Sequence, residues 1–508
     1  MKWFDLIPSF IQAIGAVTAA IVSALVGYRL ARHQGESYER RTDSDEDWFH
    51  DIIRSKEIVF LGISHTSLKV YLDQILNHKP RSSKLRSIKV IYASTEDGKV
   101  WEDASFLDNM RQSRQKVAAL LCSTVWCQTF SYFQSVSFLQ SKHAIGFGGS
   151  AMIGNENMWR TIYVVHYLPT QTSDAKKTIT LRYSSSLSHY FSRRTHNLMA
   201  VWGAAYRDVL DKAADLGVFR HSLWDESVQE WSEFSRSCQA HQNSMRHLLK
   251  FASLKGRESI LDLASGTGDT SRLIVEQHHD ISLTVLDASP RMIEKCRSVL
   301  GAGAEYALAQ IPPPGGKVLV DLDGKSFDVI LIHLAVPAVA ANVDALSAMA
   351  RWCRDYLKPG GRIFLAVHNT AVSIVSSGFS IEQDTLRDAI KSELERMGLP
   401  HAYRQLARNR FSPEDIESAF AIAGFRCTRK DQASFEMTMK DRLVLWSAPA
   451  VLNDVVDLTA LETEQVTVLL QNLRTVLSNR RTADMAVLYW SFVCPPTNAP
   501  RETRENEA

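Results

Sequence analysis

The residues with the clearest chemical potential are a glycine loop and the acids around it. Ser259-Ile260-Leu261-Asp262-Leu263 reads as a short buried strand that runs directly into Ala264-Ser265-Gly266-Thr267-Gly268-Asp269. A helix is expected from about Thr270. Glycines at such a turn let the backbone approach a ligand closely, and the helix start presents unpaired N–H groups. Asp287 closes the next strand, where a Rossmann-like sheet offers a carboxylate to ribose hydroxyls. Ser289 then stands where an N-cap belongs. A dinucleotide is the rival ligand, but its G-x-G-x-x-G/A pattern wants a third small residue where Ser271 stands. That pattern also has no need of an acid before the glycines, which Asp262 supplies.

These residues resemble, in order, the motifs of class I S-adenosylmethionine-dependent methyltransferases. Leu261 to Asp269 is similar to motif I, D-x-G-x-G-x-G, with Ala264 in place of the first glycine. Val285-Leu286-Asp287-Ala288-Ser289 is similar to the second motif, and Phe327-Asp328-Val329-Ile330-Leu331 to the fourth strand. Leu357-Lys358-Pro359-Gly360-Gly361-Arg362 matches the turn before strand five, and Trp490-Ser491-Phe492-Val493 the last, antiparallel strand. The resemblance covers about 225–498. It implies S-adenosylmethionine as cofactor, and a binding set of Asp262, Ala264, Ser265, Gly266, Gly268, Asp287, Ala288, Met292, Gln310 and His333. The ammonium and sulfonium of that cofactor give a carboxylate at the loop electrostatic sense. Gln310 departs from the pattern. It stands where the family usually has an Asp facing adenine, beside the insertion Pro312-Pro313-Pro314-Gly315-Gly316.

The acceptor is less legible. Residues after strand four read Ile332-His333-Leu334-Ala335-Val336-Pro337, with neither D/N-P-P-Y nor Pro-Cys. His333 is the one titratable group there, and a histidine near its ordinary pKa suits a general base. Between strands six and seven, 438–480 carries Trp446, Pro449, Leu452 and Val455, then an amphipathic helix over Thr463 to Leu477. In the resemblance, insertions there form an acceptor lid, and the apolar content implies a small organic or lipid-like acceptor.

Around these residues the expected fold class is α/β: a Rossmann-like seven-stranded sheet, preceded by a smaller α/β domain and an N-terminal transmembrane helix. Strands are expected at 259–263, 282–286, 304–308, 327–333, 361–367, 425–436 and 485–494. The domain over 47–215 has expected strands at 58–63, 88–92, 145–153, 161–167 and 178–183, a helix from Ser67 to Leu76, and a closing helix from Leu187 to Ala214. In the order of its elements it resembles a phospholipase D-like unit. The H-x-K-x4-D motif is missing, since His65 and Lys69, Lys142-His143 and His166 have the wrong spacing or order. The domain therefore reads as non-catalytic: a binding or sensing module, or a spacer.

Residues 6–28 carry no charge and as a helix would span about 34 Å, enough for a hydrocarbon core of about 30 Å. Arg29, Arg32, Arg40 and Arg41 follow, against Lys2 before. This favours an anchor in 1–32 over a cleaved signal peptide, and implies a single-pass membrane protein with its C-terminal body in the cytoplasm. Gly15, Ala19, Ser23 and Gly27 fall at four-residue spacing, an expected face for a homodimer. Residues 33–46 read as a linker and 499–508 as a polar tail. The net charge of +2 gives no reason to expect a nucleic-acid partner. Seven scattered cysteines without C-x-x-C indicate no metal site. Two other readings of the whole stay open: a sensor, signalling or defence protein whose first domain regulates the second, and a pseudoenzyme scaffold.

Overall fold

The computed structural model describes residues 55–62, 68–77, 84–93, 104–141, 149–155, 158–167, 178–184, 214–311, 322, 324–340, 342–368, 380–404, 411–477 and 484–495. Contacts divide the chain into two units, one of 1–113 with 127–218 and one of 114–126 with 219–508.

The first unit is built on a mixed seven-stranded sheet. Its elements, with those adjoining in the chain, are β1 (Glu57–Gly62), α1 (Leu68–Asn77), β2 (Ser87–Ala93), α2 (Ala104–Leu121), α3 (Thr124–Thr129), β3 (Ser135–Ser141), β4 (Gly149–Asn155), β5 (Met158–Tyr167), β6 (Thr178–Ser184) and β7 (Ala214–Phe219). The sheet order is β6-β5-β4-β1-β2-β3-β7. Strands β1, β2 and β3 are parallel, while β4 joins β1 antiparallel and continues as a meander through β5 and β6. Strand β3 lies where no strand is expected from the sequence. Its buried Val136 and Phe138 alternate with serines, too brief a run to stand out. The closing helix expected from Leu187 falls outside the described residues, except that Ala214 begins β7.

The second unit opens with α4 (Leu223–Glu226), α5 (Val228–Ser237) and α6 (Gln239–Ala252). Strand and helix then alternate: β8 (Ser259–Leu263), α7 (Asp269–Gln277), β9 (Ser282–Asp287), α8 (Pro290–Leu300), β10 (Glu305–Leu308), β11 (Phe327–His333), α9 (Val336–Val339), α10 (Val343–Asp355) and β12 (Leu357–His368). There follow α11 (Ser380–Arg396), α12 (Pro413–Ile422), β13 (Arg426–Phe435), α13 (Met439–Ser447), α14 (Pro449–Leu452), α15 (Thr463–Leu477) and β14 (Met485–Val493). The order is β10-β9-β8-β11-β12-β14-β13, parallel through β12 and antiparallel for β14 against both neighbours. All seven strands expected from the sequence are present. Strand order reverses at β8, which puts a crevice at the carboxyl ends of β8 and β11.

The central strands are buried on both faces, as parallel sheets require, so they read as unbroken apolar runs. Leu261, Leu263, Ile330, Ile332, Ile363 and Leu365 share one core with Leu346 and Met349 of α10 and with Ile416 and Phe420 of α12. Helix α12 starts on a capping box, in which Ser412 and Asp415 each accept from the other's N–H, with Pro413 at N1. A second core joins α11, α13, α14 and α15 through Leu394, Leu443, Leu452, Leu469 and Leu473. It gathers segments inserted on either side of β13, including the Thr463–Leu477 helix.

The expectation of a single-pass membrane location is corrected. Among the described residues no helix is long and apolar enough to cross a membrane. The longest of them, α2, carries Asp108, Arg111, Arg114 and Lys116, charges that a hydrocarbon core would exclude. The expected span over 6–28, its Gly15, Ala19, Ser23 and Gly27 face, the linker 33–46 and the tail 499–508 lie outside the described residues.

Candidate functional site

Strand β8 ends in a loop whose backbone is set by left-handed residues. Ala264, Gly266 and Gly268 have φ of +55°, +54° and +83°. The Ser265 N–H donates to Leu286 O (3.0 Å) and the Gly268 N–H to Ser265 O (3.0 Å), which folds the loop onto the end of β9. Ala264 thus holds the conformation a glycine takes without penalty, at a cost of about 1 kcal/mol for its Cβ. Ala264→Gly is expected to raise the unfolding free energy by about 1 kcal/mol in denaturant titrations. A loss of stability would show that the methyl group's packing outweighs its strain.

Asp287 ties this loop to the next. Its Oδ2 accepts from the Gly266 N–H (2.9 Å) and its Oδ1 from the Ser289 N–H (2.8 Å). Burial pushes its pKa up to about 6, against the pull of those two N–H donors. Asp262 is 1% exposed and accepts from the Ser271 hydroxyl (2.5 Å). Burial pushes its pKa up to about 7 despite that bond. Ser271 is therefore a partner of the acid as well as a small residue packed under the loop. At the start of α7, Asp269 Oδ2 accepts from the Thr267 hydroxyl (2.7 Å). Its Oδ1 is buried without a hydrogen-bond partner, with Arg236 Nε 3.9 Å from it.

Three features that sequence reasoning missed close around the loop. Asp225, 1% exposed, accepts at Oδ1 from the Ser289 hydroxyl (2.6 Å) and at Oδ2 from the Ser222 N–H (2.9 Å) and hydroxyl (2.7 Å). It fastens the entry to α4 onto the Asp287 turn, while Ser289 Oγ also caps α8 at the Met292 N–H (3.1 Å). Trp231 of α5 faces the loop: a Cβ added at Gly266 would lie 3.1 Å from its Nε1. His241 of α6 stands edge-on to His333 with ring centroids 5.1 Å apart.

Among the other expected site residues, Met292 is buried on α8 and Ala288 is exposed beside Asp287. Gln310 is exposed just past β10, after Ala309, whose N–H donates to Asp287 O (3.1 Å). His333 ends β11, half-buried, and its Nε2 meets the Ser244 hydroxyl at 3.0 Å. Ser244 Oγ also meets Tyr489 OH (2.9 Å). Burial, with His241 beside it, holds the His333 pKa well below the usual imidazole value. It is an uncharged hydrogen-bonding group at neutral pH rather than one near its ordinary pKa.

The arrangement joins a backbone cradle open to a close-lying ligand, a carboxylate at the end of β9 and, at the helix start, a buried carboxylate oxygen without a hydrogen-bond partner. It suits a ligand with hydroxyl donors and positive charge, and S-adenosylmethionine has both.

Sheet order and loop together define the C-terminal unit as a Rossmann-like methyltransferase fold. Residues 261–363 match a family model described as a methyltransferase domain. A demethylmenaquinone methyltransferase of Thermotoga maritima is 31% identical over 108 residues, which are 21% of this chain and 42% of that protein. The chain thus spans less than half the length of that curated relative. Among solved structures, the cyclopropane synthase MmaA2 of Mycobacterium tuberculosis is similar at 15% identity and a TM-score of 0.32, over 50% of this chain and 84% of that one. The YcgJ protein of Bacillus subtilis is similar at 12% identity and a TM-score of 0.31, over 50% and 99%.

Proposed function

We propose that the C-terminal unit is an S-adenosylmethionine-dependent methyltransferase acting on a small organic or lipid-like acceptor. The observation that carries this reading is the Asp287 carboxylate, held by the Gly266 and Ser289 N–H groups at the end of β9. There it faces the place of a ribose in a Rossmann-like sheet. In the proposed set Asp262, Ala264, Ser265, Gly266 and Gly268 shape the loop, Ala288 and Met292 follow the ribose acid, and Gln310 stands on the adenine side. When bound, the cofactor supplies an electrophilic methyl group. The protein's own work is then to hold donor and acceptor in line and exclude water. His333, at the carboxyl end of β11, contacts the acceptor side. The helical layer of α11, α13 and α15 is the acceptor lid.

Calorimetric titration with S-adenosylmethionine tests this directly. Binding is expected at pH 8, and Asp287→Asn is expected to weaken it at least tenfold. For the unsubstituted protein, affinity should fall by more than tenfold between pH 8 and pH 5, since Asp262, with a pKa near 7, loses its charge over the same range as Asp287. With a pKa near 6, Asp287 is ionised at the higher pH and protonated at the lower, and a protonated carboxyl accepts hydroxyl donors poorly. No heat at millimolar ligand would defeat the proposal and favour a pseudoenzyme scaffold.

A further inference from the structure

His241 is a buried polar side chain that the cofactor set leaves unused. It is 3% exposed, and its Nδ1 is enclosed with no hydrogen-bond partner. A buried polar atom left unpaired costs about 1–3 kcal/mol, so its persistence points to a group that pairs with it in the working protein. The ring lies against Trp231 (centroids 5.7 Å) and Phe234 (5.1 Å) as well as His333. Trp231 abuts the Gly266 turn, so His241 stands between the glycine loop and the carboxyl end of β11. On the far side of His333, the Ser244 hydroxyl occupies His333 Nε2 and is itself held by Tyr489. That bond fixes the second imidazole in place.

We propose that His241 and His333 form an acceptor subsite that recognises a neutral hydroxyl group carried on a planar, apolar body, with the His241 imidazole as the group that pairs with the acceptor oxygen. This rests on the methyltransferase reading above and supplies its substrate class. Three properties of the site select that chemistry. The rings packed beside His241 are the indole of Trp231 and the phenyl of Phe234, which favour a flat apolar partner. Its polar groups are uncharged. Burial lowers the His241 pKa to about 4 although Asp269 opposes the shift, and it lowers that of His333 as well. The Asp269 carboxylate also acts on His241 and disfavours an anionic acceptor, with Arg236 Nε 3.9 Å from its Oδ1 offsetting part of that charge. An ammonium acceptor would face the positive charge of the cofactor. A hydroxyl both donates and accepts, so it satisfies Nδ1 in either tautomer.

The test is equilibrium binding of four probes of similar shape to the full-length protein, by ligand-observed nuclear magnetic resonance at pH 7.5. The probes are p-cresol, 4-methylanisole, 4-methylbenzylamine and 4-methylbenzoate. We expect p-cresol to bind at least tenfold more tightly than the other three. His241→Phe should reduce p-cresol to the affinity of 4-methylanisole. His241→Asn, which keeps a polar atom near the Nδ1 position, should recover part of the preference. Equal binding of p-cresol and 4-methylanisole, failure of all four probes, or a preference retained in His241→Phe would each overturn the assignment. Loss of S-adenosylmethionine binding by the unsubstituted protein would instead defeat the methyltransferase reading, so the two failures are distinguishable.

Discussion

Gly268→Ala is expected to abolish measurable S-adenosylmethionine binding and to lower the unfolding free energy by about 2–5 kcal/mol. Two costs add. The residue has φ of +83°, where a Cβ crowds the backbone at roughly 1–2 kcal/mol. The added methyl would also lie 2.5 Å from Cys296 Sγ and 3.4 Å from Cys296 Cα and Cβ. Overlap of that kind costs about 1–3 kcal/mol in a packed interior. The relief is built into the comparison. Cys296→Ala removes the sulfur and leaves the strained φ, so the double variant should recover about half of the loss. The Cys296→Ala single variant has to be measured beside it, because it opens a small cavity of its own. Denaturant titration of all four proteins reads the coupling. Strict additivity would show that the thiol is not what excludes a side chain at 268.

The glycine loop was legible in the sequence because everything that makes it lies within a few residues. A buried strand, an acid, two glycines and a helix start are local signals, and φ at 266 and 268 matches what glycine is for. The seven strands were legible for a similar reason. Runs such as Val329-Ile330-Leu331-Ile332 are bounded by polar residues, and burial on both faces leaves no alternation to confuse them with helices. Strand β12 departs in one respect. It begins at Leu357, before the Pro359-Gly360-Gly361 turn, because its register against β11 jumps from Phe327–Leu357 to Val329–Arg362.

What the sequence hid are the partners. Ser244 and Tyr489 are 245 residues apart, and Asp225 and Ser289 are 64 apart. Nothing in periodicity links either pair, because only the folded chain brings α4 and α6 over the loop. In the sequence Trp231 and Phe234 are merely apolar positions three apart, as any amphipathic helix has. The unpaired state of His241 Nδ1 is a property of packing, which no spacing rule reports. The resemblance of the first domain to a phospholipase D-like unit is not shown, and the closing helix on which it partly rested lies outside the described residues but for Ala214.

Asp262→Asn is expected to make the ligand-free protein more stable at pH 8, by about 2 kcal/mol, while weakening S-adenosylmethionine binding at least tenfold. A carboxyl moved from its usual value near 4 to about 7 resists ionisation by roughly 4 kcal/mol. The cause is burial, with the Asp287 charge adding to it and the Ser271 hydroxyl opposing it. A folded-state pKa above the unfolded one means that the folded chain binds the proton more tightly. The penalty is therefore absent below about pH 4, grows as the unfolded chain ionises, and is complete above pH 7. Asparagine keeps an oxygen for Ser271 and carries no charge to bury, but its amide N–H groups need acceptors, which halves the gain. The stability difference should reverse at pH 4, where the ionisation penalty is gone and the amide cost remains, leaving Asp262→Asn about 2 kcal/mol less stable than the natural chain. A carboxylate that destabilises the empty fold is retained where a cationic ligand repays its burial, the pattern of a functional group held against stability. Unfolding measured at pH 8 and pH 4, with calorimetry at pH 8, decides it. If Asp262→Asn proves less stable than the natural chain at pH 8, the acid is serving the fold, and its assignment to the cofactor loses its physical basis.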